Sequence, residues 1–121
     1  MKLLSMSDSE IVNIADPIRQ DVIDGSNSKD WELHSRNLPA HVIENENIRK
    51  DVERQWQEDE SASSPRTSLS RDSHYLGIIR KKDMIGVLWK QTSTKSDEEY
   101  LLKILLKEID GEIKQAGAWL D

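Results

Sequence analysis

The chain has 121 residues, room for one domain, and only 36% of them are hydrophobic against 33% charged, so its core is small. Its net charge of −6 is uneven: residues 1–60 carry 7 Lys+Arg against 14 Asp+Glu, and residues 61–121 carry 10 against 9. That balance argues against a nucleic-acid partner, which demands clustered cations, and the absence of cysteine excludes disulfides, thiolate metal ligands and a cysteine nucleophile.

The first ten residues hold two leucines before polar residues resume, far short of a secretory apolar core, and no run is long enough to span a membrane. A cytoplasmic protein without membrane contact is expected. Ser7 and Glu10 have the spacing of a capping box, and Ile11, Ile14, Ala15, Ile18 and Val22 then form one helical stripe. Pro17 either kinks this helix or opens a second one behind Asp16, and Gly25 is the expected stop.

Asp30 caps a short second helix carrying Trp31, Leu33 and His34, which Pro39 ends. A third helix is expected over 43–57, with Val42, Ile48, Val52 and Trp56 as its stripe. Residues 58–72, rich in serine and charge, read as a mobile polar loop. Beyond it the texture turns to strands over 74–80, 84–91, 100–109 and 113–120.

The stretch 100–109 is ambiguous, because Leu102, Leu105, Leu106, Ile109 and Ile113 also match a helical stripe. Asp110-Gly111 between apolar runs decides for a hairpin. A two-residue loop pairs Ile109 with Glu112 but gives no clean face. A three-residue loop over 109–111 with a glycine bulge puts Tyr100, Leu102 and Ile104 beside Ala116, Ala118 and Leu120, with Leu101 opposite Trp119. The second register is preferred. The sum is an α+β fold: three N-terminal helices packed on a strongly bent four-stranded antiparallel meander in a single domain, 1–121.

With this order of elements, DWELHSRNLP at 30–39, HYLGIIRKKDMIGVLWKQ at 74–91 and YLLKILLKEIDGEIKQAGAWLD at 100–121 carry a resemblance. The chain resembles nuclear transport factor 2-like proteins with the cystatin-like α+β cone, and within them small bacterial domains of unknown function. It departs from them in its polar stretch at 58–72 and in having tryptophan without phenylalanine. The resemblance implies a bent sheet around a helix, with a pocket that members of the superfamily use for catalysis, ligand binding or dimerisation.

That pocket frames the candidate residues. Trp31 and His34 are expected at its rim and mouth, and Trp89 and Trp119 against the sheet. Tyr75 is a further candidate lining residue. A pocket histidine is a general base only with an orienting carboxylate, and the sequence assigns none to His34. His34 and His41 are separated by Pro39 and lack a third ligand, so no metal is expected, and no cofactor motif is present. An isomerase or dehydratase would draw on Tyr75, Tyr100 or Asp121. The interspersed charges of the acidic half argue against an acidic inhibitor of a basic protein. The expectation is a non-catalytic binding module that holds a small apolar ligand or protein partner, self-associating through its sheet as a homodimer.

Overall fold

A computed structural model describes residues 2–59 and 66–121. Within them the fold is α+β, with helices packed against an open antiparallel sheet. The capping box is present: Ser7 Oγ accepts from the Glu10 amide at 3.2 Å, and Glu10 Oε1 accepts from the Ser7 amide at 3.1 Å. It starts α1 (Asp8–Ser28), which runs unbroken through Pro17. Pro17 lies on the exposed side, so the carbonyl it leaves unbonded faces solvent and not the core. The buried side holds Ile11, Ala15, Ile18, Val22 and Ile23.

Gly25 does not stop α1, which continues to Ser28 and ends on Lys29 in the left-handed conformation (φ 56°). The glycine serves a close approach instead. A Cβ at residue 25 would lie 2.5 Å from the backbone nitrogen of His34. This lets α2 (Trp31–Ser35), capped by Asp30 as expected, dock directly on α1.

The expected helix over 43–57 is two pieces, α3 (Ala40–Ile43) and α4 (Glu46–Asp59). The break falls at Asn45, whose Oδ1 accepts from the amides of Asn47 and Ile48 at 3.0 and 3.3 Å, restarting the helix. The expected loop over 58–72 is shorter on both sides. Helix continues through Asp59, strand begins at Leu69, and residues 60–65 lie outside the described ones. Asn27 explains the early strand, since its side chain accepts from the Leu69 amide at 3.0 Å and donates to the Leu69 carbonyl at 2.7 Å.

Strands β1 (Leu69–Arg80), β2 (Ile85–Ser93), β3 (Glu99–Ile109) and β4 (Glu112–Leu120) pair in chain order. The ambiguous stretch 100–109 is a strand, but the preferred register is corrected. Asp110 and Gly111 have φ of 53° and 80° and form a two-residue turn, which pairs Ile109 with Glu112. The irregularity sits further from the turn instead: Leu106 pairs with Gln115 and Leu105 with Gly117, leaving Ala116 as an unpaired bulge. Both local rules are satisfied, the tight turn first and the apolar face after the bulge. Leu102 meets Leu120 and Ile104 meets Ala118, while Ala116 points out and Gln115 takes the inward place.

Burial concentrates between α1 and the sheet. Leu3, Ile11, Ile23, Ile85, Val87, Trp89, Ile104 and Leu106 are sealed there. Arg19 is buried with them, its guanidinium 5.7 Å from the Trp89 ring centroid and bonded to Asp16 at 2.9 Å and to the Arg71 carbonyl at 3.0 Å.

Candidate functional site

Two cavities bear on function. One, about 420 Å³, is a polar cleft lined by Asp16, Arg19, Gln20, Arg71, Asp72 and Ser73. Its charges are already engaged: Arg19 and Gln20 bind Asp16, and Arg71 pairs with Asp24 at 3.1 Å. Little is left to recruit a ligand. The second cavity, about 300 Å³, is lined mainly by apolar side chains and has unsatisfied chemistry.

One wall is α4. Ile48, Val52, Gln55 and Trp56 lie at helical spacing and face the cavity, while the acids of this helix pair along its outer side. Arg49 bonds Glu53 at 3.1 Å, and Arg54 bonds both Asp51 and Glu58. These are the solvated salt bridges of an exposed helix, which water screens and which add little to stability. The opposite wall is β4 over residues 115–120, and the floor is Val22, Ser26, Leu69 and Leu102.

His34 enters between these walls because Gly25 lets its backbone close on α1. Its Nδ1 lies 3.1 Å from Ser26 Oγ, and its ring stands edge-on to Trp56 with centroids 5.2 Å apart. Burial holds its pKa below the ordinary imidazole value, only partly offset by a hydrogen bond to the Val22 backbone. The imidazole is therefore neutral at pH 7. Asn37 fixes the end of the site: its side chain donates to Asp21 at 2.9 Å and its carbonyl accepts from the Gln115 amide at 2.7 Å.

Gln115 is 2% exposed, and its Oε1 has no hydrogen-bond partner among the described residues. A buried acceptor left unpaired costs about 1–3 kcal/mol. No model of a known protein family matches the chain, and no curated protein matches it either.

Of the five candidate residues, the cavity gathers His34 and Trp119. Trp31 is 6% exposed beneath His34, with ring centroids 6.2 Å apart, and supports the site without lining it. Trp89 is 2% exposed within the main core, and Tyr75 is 41% exposed on β1. Asp121 and Tyr100 do not line the cavity either; Tyr100 donates its hydroxyl to Glu98 at 2.6 Å. The residues missed are Trp56 and Gln115. Trp56 was legible as the end of the α4 stripe, whereas Gln115 turns inward because the two-residue turn pairs it with the inward Leu106. The arrangement can bury apolar groups, accept one hydrogen bond and offer a neutral imidazole. Among the described residues no carboxylate touches His34, and no three metal-ligating side chains cluster.

Proposed function

We propose that the chain is a non-catalytic binding module whose cavity between α4 and β4 holds an apolar ligand or an apolar segment of a partner. The observation that carries this reading is the lining itself: apolar side chains from six elements around one buried amide oxygen, unpaired among the described residues. His34 is partnered by a hydroxyl, so the orienting carboxylate of a general base is not assembled around it. A nuclear transport factor 2-like arrangement belongs to the same reading. Its support is the long α1 lying on one face of a four-stranded meander with the cavity beyond its C-terminal half.

The test is titration with a naphthalene dye that brightens in apolar surroundings, against the native chain and Val52→Trp, which fills the cavity. The reading expects brightening with the native chain and its loss in the variant at an unchanged unfolding midpoint. Equal brightening in both contradicts it.

Self-association is the second part of the proposal, and the outer face of the sheet supports it. Ile79, Leu101 and Trp119 are exposed there, and Leu105 leans over Gly86 beside Ile79. The lysines around this patch are engaged within the chain: Lys90 with Glu99 at 2.8 Å, Lys107 with Asp83, Lys114 with Glu112, and Lys103 over the Trp119 ring at 5.0 Å. A second copy can therefore approach without bare like charges meeting. Light scattering at micromolar concentration should give twice the 13.9 kDa chain mass. One chain's mass would refute the dimer.

A further inference from the structure

The cavity runs along the edge of a strand. Successive side chains of a strand point to opposite faces, so a cavity over one face is lined by every second residue. Here residues 115–120 line a single cavity in unbroken succession. That pattern arises where a cavity lies beside the strand, in reach of its backbone and of side chains from both faces. β4 is an outer strand of the sheet. Its edge is closed at one end, where the Gln115 amide donates to Asn37. Beyond that point, no backbone hydrogen bond joins 116–120 to any described element other than β3.

Three further features specify what fits. Ile48, Val52 and Trp56 of α4 form an apolar wall facing this edge. The Gln115 Oε1 acceptor is buried and unpaired, and calls for an N–H or O–H donor. Arg66 is the one Lys, Arg, Asp or Glu among the described lining residues; it is exposed and makes no ion pair among the described residues.

We infer that the groove takes the free C-terminal segment of an apolar peptide, added as a further strand on the edge of β4 with its terminal carboxylate at Arg66. The inference rests on the binding-module reading and names the partner. An extended peptide supplies backbone N–H and C=O groups for the edge and a donor for Gln115. Its alternate side chains supply apolar contact for α4. The Arg66 guanidinium, which makes no ion pair among the described residues, offers the terminal carboxylate a charge-assisted bond. A compact apolar molecule would use only the α4 wall.

The probe is an acetylated pentapeptide of alternating valine and threonine with a free C-terminus, titrated by tryptophan fluorescence. Its C-terminal amide and a form N-methylated at two alternating residues are titrated beside it. Removing a charge-assisted bond of roughly 1.5–3 kcal/mol weakens binding about tenfold or more. That loss is expected for the amide form and for Arg66→Gln with the free acid, and Arg66→Gln should no longer distinguish acid from amide. N-methylation should cost at least about tenfold while leaving the side chains unchanged, since it deletes strand hydrogen bonds.

Equal affinity of the N-methylated peptide overturns strand addition, and equal affinity of the amide overturns the terminal carboxylate. Either result leaves the binding-module reading intact provided the naphthalene dye still binds. Peptide affinity that falls as protein concentration rises would make a second copy the occupant of the edge, and also overturns the inference. If neither the dye nor any peptide binds, both readings fall.

Discussion

α1 and α4 are both amphipathic helices with apolar residues at the same spacing, yet they do different work. The stripe of α1 meets the sheet, and Ile11, Ala15, Ile18, Val22 and Ile23 disappear into one core with Ile85, Val87, Trp89 and Ile104. The stripe of α4 meets a cavity: Trp56 is buried, Val52 is half-covered and Ile48 is 36% exposed. Periodicity identifies a helix and its apolar side. It does not say whether the chain itself covers that side. The α1–sheet layer buries its apolar stripe, and the α4–β4 layer leaves part of its apolar surface uncovered.

The largest effect should come from within the α1–sheet core. Ile104→Ala removes a fully buried side chain between strands and should cost about 2–5 kcal/mol, read as a lower urea midpoint with an unchanged slope. A loss below about 1 kcal/mol would show that this layer is not the stabilising one.

Gly25→Ala should come next. Alanine is the better helix former by roughly 1 kcal/mol, so propensity alone predicts stabilisation. The backbone of α2 lies 2.5–2.6 Å from the new methyl, however, and backbone cannot swing away. Overpacking should prevail, with a net loss of about 1–3 kcal/mol and displacement of His34, visible as a changed fluorescence of the adjacent Trp56. A stabilised variant would break the account of how His34 is positioned.

The third effect is a pH dependence. The folded state holds His34 below its ordinary value of 6.5, so the unfolded chain takes the proton first. Stability is therefore full above pH 6.5 and falls as the pH drops through that value towards the lowered folded one. Urea midpoints at pH 7.5 and 5.5 should show a larger drop for the native chain than for His34→Gln. Identical drops would mean that the imidazole is solvated in the fold.

The smallest effect on stability should come from α4. Ile48→Ser changes a residue already partly in water, so it should shift stability by about 0.5 kcal/mol or less while weakening dye or peptide binding severalfold. A large destabilisation without loss of binding would reverse the assignment of the two helices.

Much of this architecture was readable from the residues. The capping box, the α1 stripe, the Asp30 cap and the four strands follow from local chemistry. The turn at Asp110-Gly111 was legible as well, while its register was not. A bulge at Ala116 has no strong local signature, and it decides that Ala118 and Leu120, not Gly117 and Trp119, follow Gln115 on the inward face. Gly25 misled for a related reason: a glycine that ends a helix and one that admits a neighbouring backbone look alike until the neighbour is known. Trp31 and Trp89 were read as pocket-facing because large rings line pockets as well as cores. Their burial follows from the scarcity of other apolar mass in a chain that is 36% hydrophobic.

Backbone amide exchange tests the central claim most directly, by comparing residues 116–120 with the α1–sheet core in the presence and absence of the free-acid peptide. Amides on the outer edge of β4 should exchange rapidly in the free chain and become protected when the peptide is bound, with core amides of β2 and β3 unchanged. Edge amides that are already protected in the free chain, or that stay unprotected with the peptide bound, would contradict a groove built to receive a strand.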